Sequence, residues 1–273
     1  MTSEDPRAGL ETFQLSLEAA ERYEAAFVPA IFAEWAPRLV QIAGVGPGQE
    51  VLDAACGTGI VARTVAERLA GSGRVVGLDL NEAMLTVARR VRPDLDWRQG
   101  DLVDLPFPAR SFDVVLCQMA LMFVADRSGA LREMARVVRP GGTVAVCVPA
   151  GLDDQPAYGP FVELAVDVAG PAARSLLGSY WVCGDLEELT ATVAAAGLQV
   201  AETRTELGAA RFDSPEQMAV AEVEGSPLVH RISEAQYARI RERSGEVLRS
   251  FVDSSGRLAA PLRVHLVAAR SPG

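Results

Sequence analysis

No lysine occurs anywhere in this 273-residue sequence, so every formal cation apart from the amino terminus is an arginine. The 26 basic residues face 36 acidic ones, for a net charge of −10. Non-specific nucleic-acid binding needs clustered cations, so this balance argues against a phosphate-backbone partner, a local basic patch excepted. Cysteine is sparse. Cys56, Cys117, Cys147 and Cys183 form no C-x-x-C pair and have no histidine near them in sequence, so no metal site is expected. A disulfide framework does not suit a chain this large and apolar. Long hydrophobic runs are also missing: the longest, "VVLCQMALMFVA" at 114–125, is too short to span a bilayer and contains Gln118. The start, "MTSEDPRAGL", lacks a charged-then-apolar signal pattern. The chain reads as cytoplasmic, with monomer and homodimer both open.

What is present is a core: 49% of the residues are hydrophobic. Apolar residues at helical spacing from Phe13 to Ile31 predict helices over 11–43, broken by Pro29 and Pro37. Strands are expected at "EVLDAA", "GRVVGLDL", "LDWRQGD", "SFDVVLC" and "GTVAVCVPA", with helices at 58–70, 82–92 (Asn81 as N-cap) and 127–138 between them. Strands of buried type alternating with helices mean a doubly wound, mostly parallel sheet in an α/β fold. Further on, helices are expected near 158–169, over 185–196 and within 213–253, with strands at 198–207 and 260–270.

Ligands of such sheets lie beyond the carboxyl ends of the strands, where strand order reverses. The stretch "VLDAACGTGIVA" at 51–62 sits there. Gly57, Gly59 and Ala62 fit the dinucleotide pattern, and Asp79, about twenty residues on, could accept both hydroxyls of a ribose. A nicotinamide dehydrogenase is therefore a competitor. Against it, Asp53 places negative charge where the helix N–H groups would hold a pyrophosphate. A ligand with an ammonium and a sulfonium and no phosphate removes that objection. Asp101, in "GDLVDLPF", can accept from an exocyclic adenine amine. Adenine, ribose and a cationic tail describe S-adenosyl-L-methionine.

The strings "VLDAACGTG", "GLDL", "GDLVDLPFPARSFDVVLCQMALMFV" and "ALREMARVVRPGGTVAV" resemble the class I S-adenosylmethionine-dependent methyltransferases, in their ubiquinone/menaquinone-biosynthesis-like small-molecule branch. The resemblance covers roughly 45–150. It implies a Rossmann-like, seven-stranded, mostly parallel sheet whose last strand is antiparallel, with helical lid insertions. Residues 1–44 would be an N-terminal helical lid segment and 45–150 the cofactor-binding core. Residues 151–183 would be a substrate-side insertion, and 184–273 would complete the sheet around a helical insertion at about 211–253. It further implies that Asp53 and the backbone of Ala55 and Gly57 border the methionine end, with Gly59 in the same loop. Asp79 would hold the ribose, Leu80 and Met84 would pack near the adenine, Asp101 would take the adenine amine, and Leu102 would offer a backbone N–H. Cys117 and Gln118 would face the transferable methyl. Ala54 and Ala55 depart mildly from the family, where glycine or valine is also common.

Blander roles stand beside these. Gly57 and Gly59 serve any tight strand–helix turn, Asp79 could merely cap the next helix, and Asp101 could be a turn residue. Cys56 and Cys117 read as small apolar fillers, since no cation is placed to lower their pKa. The acceptor would be a small apolar or aromatic molecule meeting Tyr23, Phe27, Met122, Tyr158, Tyr180 and Trp181, though such aromatics also pack a lid's own core. No general base stands out; His230 is a weak candidate against a surface position, and Tyr158, Tyr180 and Glu163 are unproven. Methyl transfer to O, N or C leads. A non-methylating reaction such as cyclisation, supported by the same molecule on the same fold, and the dehydrogenase follow.

Overall fold

The structure, a computed structural model, describes residues 15–273. The first residues of the expected opening helix, Phe13 among them, lie outside the described residues. The chain runs α1 (Leu17–Arg22), a π-helical segment (Tyr23–Phe32), α2 (Ala36–Ile42), β1 (Glu50–Ala54), α3 (Ile60–Leu69) and β2 (Arg74–Asp79). Then come α4 (Glu82–Val91), β3 (Asp96–Gln99), β4 (Phe112–Gln118), α5 (Arg127–Val137) and β5 (Val138–Pro149). The remainder is α6 (Tyr158–Ala169), α7 (Ala172–Gly178), α8 (Leu186–Ala195), β6 (Gln199–Phe212), α9 (Pro215–Glu224), α10 (Glu234–Val247) and β7 (Leu258–Arg270). Among the described residues no helix is long and apolar enough to cross a membrane.

Seven strands form one sheet in the order β3-β2-β1-β4-β5-β7-β6. β1 pairs in parallel with both β2 and β4, while β7 lies between β5 and β6 and runs antiparallel to each. The expected α/β, Rossmann-like sheet with an antiparallel last strand is thus what forms. Strand order reverses between β1 and β4. Right-handed crossovers leaving that point in opposite directions put α3 and α4 on one face and α5 on the other. Accordingly α2 packs beside α3, and α5 pairs with α8. β4, "FDVVLCQ", is buried along nearly its whole length, as a central strand covered on both faces must be.

Two expectations change in detail. Pro29 was expected to break the first helix; it lies inside the π-helical segment, where Ala33 N–H donates to Val28 O, five residues back. The wider π turn accommodates the ring, and only Pro37 acts as a helix start, at the head of α2. β6 runs five residues past its expected end, to Phe212, because β7 begins early enough to pair with it there through Leu258. The helical segments after β5 and after β6 also pack on each other, with α10 lying against both α6 and α9.

The two loop glycines do different work. Gly59 has φ +91°, and a Cβ there would collide with the indole of Trp97. Trp97 is itself fixed by its Nε1–H donating to Arg92 O at 2.8 Å. Gly57, φ +55°, would place a Cβ no closer than 3.8 Å to the edge of Tyr23. Gly59→Ala should therefore cost about 3 kcal/mol, from left-handed strain plus overpacking. Gly57→Ala should cost only about 1 kcal/mol, and the two variants' urea-denaturation midpoints compare them directly.

Candidate functional site

The carboxyl ends of β1, β2 and β4 meet at the sheet's reversal point, and the backbone there is strained. Ala55, just past β1, has φ +60°, and Met119, just past β4, has φ +49°. Left-handed conformations at residues with a side chain cost about 1 kcal/mol or more each and gather at functional sites.

Asp79, ending β2, ties this edge together. Its Oδ2 accepts from Gly57 N–H at 2.7 Å and its Oδ1 from Asn81 N–H at 2.9 Å. The capping of α4 falls to Asn81, whose Oδ1 accepts from Ala83 N–H at 2.8 Å, so Asp79 is not spent as a helix cap. Burial raises the Asp79 carboxyl above its ordinary range against the pull of those N–H groups. Each oxygen keeps a second lone pair for a ligand hydroxyl.

Asp53, expected to border a ligand's methionine end, stands one residue before the end of β1. It is 1% exposed, and its Oδ2 accepts from Ala62 N–H at 2.8 Å. Gly59 at the N-cap of α3 has no side chain, so Asp53 reaches across from β1 to take an N–H of the first helical turn. Burial pushes its carboxyl up to about 7, with the nearby Asp79 charge acting the same way and Arg63 against it.

Around this pair lie buried polar atoms without partners: Thr58 Oγ1 in the loop, Gln118 Oε1 at the end of β4 and Glu24 Oε2 on the π-helical segment. The Nε2 of Gln118 donates to Phe32 O at 3.1 Å, which aims the amide at the underside of that segment. Arg63 Nη1 donates to Thr58 O at 3.3 Å and pairs with Glu24 at 3.0 Å. Thr58, Arg63 and Glu24 were not foreseen. The sequence signal for Arg63 was present, four residues into a helix that starts at the glycine loop, but its pairing with Glu24 is a tertiary contact.

Asp101 accepts from Val103 N–H at 3.1 Å through Oδ1, an Asx turn that fixes the carboxylate at the end of β3. Leu102 beside it is buried, and Leu80 is 46% exposed next to Asp79. Met84, expected to pack near an adenine, is buried against Ala20 and Val87, with Tyr23 packed on the same cluster, because α1 lies along α4. Cys117 is buried in β4, and burial raises its thiol well above the ordinary range, as for Cys56 and Cys147; these cysteines are protonated fillers.

The aromatic residues expected on the acceptor side come together above this edge. Tyr23 stacks on Phe27 at 5.9 Å between ring centroids, and its ring edge reaches over Gly57. Tyr158 and Trp181 meet edge-on at 5.0 Å. Tyr180 donates its hydroxyl to Gly225 O at 2.7 Å and meets the Phe123 ring at 5.6 Å. Phe27 and Tyr180 bracket Gly225 from opposite elements. Met122 is buried in the core beneath them. His230 stays outside this group, exposed in the turn where its neighbour Leu228 takes the buried position. Glu163, also exposed, is paired with Arg174.

Residues 52–146, from β1 to β5, match the family model described as a methyltransferase domain. This core is thus similar to methyltransferase domains. Its relatives include the demethylmenaquinone methyltransferase of Renibacterium salmoninarum, 42% identical over 46% of this chain and 51% of that protein. The ubiquinone/menaquinone biosynthesis C-methyltransferase of Hahella chejuensis is 37% identical over 53% of this chain and 59% of that protein. The chain thus spans little more than half the length of these curated relatives. In fold it resembles phosphoethanolamine N-methyltransferase 2 of Haemonchus contortus, solved in complex with S-adenosyl-L-methionine. That likeness has TM-score 0.60 at 20% identity, over 98% of this chain and 60% of that one. The methyltransferase-domain match stops before α6, so the helices carrying Tyr158, Tyr180 and Trp181 lie beyond it.

Two predictions follow from the loop of the methyltransferase domain. Ala55→Gly relieves the left-handed strain and should raise stability by about 1 kcal/mol, read as a shift of the urea midpoint. Asp53 titrates from 3.8 when unfolded to about 7 when folded. The fold therefore favours its protonated form, and that contribution is full below the unfolded value and lost as pH rises through about 7. Asp53→Asn keeps an oxygen for Ala62 N–H but does not titrate. Its thermal midpoint should climb relative to wild type between pH 4 and 7, by the equivalent of about 1 kcal/mol per pH unit.

Proposed function

We propose that this chain is an S-adenosylmethionine-dependent methyltransferase that acts on a small, apolar or aromatic acceptor, with a quinone-like ring as the leading type. The observation that carries the reading is positional: the methyltransferase-domain match and the cluster of buried acceptor atoms fall on the same carboxyl edge. The dehydrogenase reading loses support at α3, where Asp53 already holds Ala62 N–H and sets a carboxyl where a pyrophosphate would bind. Cyclisation has no observation in its favour.

The residues suit the methyl donor's chemistry. Asp79 has lone pairs left for two ribose hydroxyls, and Asp101 has an oxygen outside its Asx turn for the adenine amine. Gln118 Oε1 and Glu24 Oε2, buried and unpartnered, match an ammonium group, while the Arg63 guanidinium beside them matches a carboxylate. When bound, the donor supplies an electrophilic methyl group on a sulfonium. What remains for the chain is to align the acceptor with that methyl and exclude water, and orientation of this kind supplies much of such a rate. The segments 151–183 and 211–253 serve as the acceptor lid in this reading, with 15–44 closing over the donor. The four buried, unpaired cysteines fit a reducing cytoplasm, and the net charge of −10 fits a small-molecule acceptor better than nucleic acid.

Calorimetry with S-adenosylhomocysteine and with NAD tests the reading, followed by labelled-methyl transfer to phenols, amines and quinols. Binding of the first ligand and not the second is expected; tight NAD binding alone would overturn the proposal. Asp79→Ala should weaken S-adenosylhomocysteine binding at least a hundredfold with the circular dichroism spectrum retained, and unchanged affinity would remove the ribose role.

A further inference from the structure

Glu222 is buried, 8% exposed, on α9, a segment that also carries apolar Met218, Ala219 and Val223 into the core. A carboxyl in such a place costs several kcal/mol unless it is paired or does chemistry. No cation acts on it. The group that acts on it is the Tyr158 hydroxyl, from α6, which pulls its carboxyl down. Around that pair stand the Trp181 ring, edge-on to Tyr158, and the Tyr180 ring, whose electrostatic environment includes Glu222. Phe27 reaches the same place from the π-helical segment, on the far side of Gly225 from Tyr180.

This aromatic box adjoins the glycine loop through one shared wall. Tyr23, stacked on Phe27, lies over Gly57, and Asp79, Tyr180 and Asp53 all act on its phenol. An acceptor held between Glu222 and Tyr23 would have its polar end on the carboxyl and its ring toward the loop.

We propose that Glu222, held by Tyr158 inside this box, receives the acceptor's hydroxyl proton, and that the acceptor is consequently an aromatic hydroxyl compound, a phenol or hydroquinone. The inference rests on the methyltransferase reading and adds the base and the acceptor class. In the step, the acceptor O–H bond breaks, its proton goes to a Glu222 carboxylate oxygen, and its electron pair stays on the acceptor. The acceptor's nucleophilic atom then bonds to the methyl carbon of the sulfonium donor as the carbon–sulfur bond breaks and its pair stays on sulfur.

The titration of Glu222 suits that task. Burial pushes it up to about 7, while the Tyr158 hydrogen bond pulls it down. A base poised near neutrality is the efficient one. The titratable groups that face it are Tyr158 from α6 and Tyr180 from the turn at 179–181. Of the other elements against α9, α10 gives its Tyr237 hydroxyl to Glu224 and not to Glu222, and neither α10 nor β6 sets a charge against Glu222 among the described residues.

The test uses the full chain with 4-nitrophenol as probe, read by the absorbance of its ionised form, without donor and with S-adenosylhomocysteine. Wild type should bind the phenol and display the ionised band. Glu222→Gln, close in shape, should lose the band and weaken phenol binding at least tenfold while keeping S-adenosylhomocysteine affinity within twofold. In turnover with a phenol that is methylated, kcat should fall at least a hundredfold in Glu222→Gln, and the rise in rate through pH 7 should vanish. Tyr158→Phe should keep that rise but move it to higher pH, since it removes the bond that pulls Glu222 down. A Glu222→Gln protein with unchanged kcat, band and pH profile makes Glu222 structural and overturns the proposal. Glu222-dependent binding of an aryl ammonium compound in preference to phenols overturns the acceptor class. Failure of wild type to bind S-adenosylhomocysteine instead defeats the methyltransferase reading, and the donor-free phenol titration still reports on Glu222.

Discussion

Two carboxyl groups, Asp53 buried and Asp79 half-buried, stand a few residues from the sheet's reversal point, and the local structure is organised around satisfying them. Asp53 cannot be solvated where β1 puts it, so the first turn of α3 is laid against it and donates Ala62 N–H. Asp79 ends the next strand and collects Gly57 N–H and Asn81 N–H, which fixes the loop after β1 to the start of α4. The loop between them must then cross in very few residues, which forces Ala55, Gly57 and Gly59 to positive φ. The loop's shape thus follows from where the carboxyls sit, and glycine is only one way of reaching it, as Ala55 demonstrates.

The same edge is covered from above by a segment of unusual geometry. The π-helical run Tyr23–Phe32 brings Glu24, Tyr23 and Phe27 to the loop, while Phe32 O receives the Gln118 amide. Tyr23 and Phe27, four residues apart, fall on one side of the segment and stack there. That arrangement joins the donor side of the site to the acceptor side through two rings.

Much of the central sheet was legible because its signals are local. Buried-type strands such as "FDVVLC", the cap at Asn81 and the acid closing "GLDL" each announce themselves within a few residues. Asp79 and Asp101 could be placed from such signals, since a strand end fixes where a carboxylate stands. Asp53 was legible as an oddity, but its role was not: the N–H it satisfies belongs to Ala62, on the next element. The packing of Met84 on Ala20 was out of reach for the same reason, because α1 covers α4 only in three dimensions. Gly59 was taken for a ligand glycine, and nothing near it in sequence says that Trp97, thirty-eight positions later, occupies its Cβ space.

Glu222 went unseen for a sharper reason. In "PEQMAVAEVEG" one acid among several reads as a solvated helix face, and no local pattern separates Glu222 from Glu216 or Glu224. Only the packing of α9 against the rest of the lid turns one of the three inward. Its burial is then a cost that the apolar side chains beside it do not offset, while a glutamine there would hold Tyr158 with far less desolvation. A carboxyl retained in such a position is most simply understood through its charge, which a hydrogen bond alone does not require. Within the stretch that matches a methyltransferase domain, Asp53 and Asp79 are both engaged with backbone N–H groups. Glu222 belongs to the part of the chain that lies outside the methyltransferase-domain match.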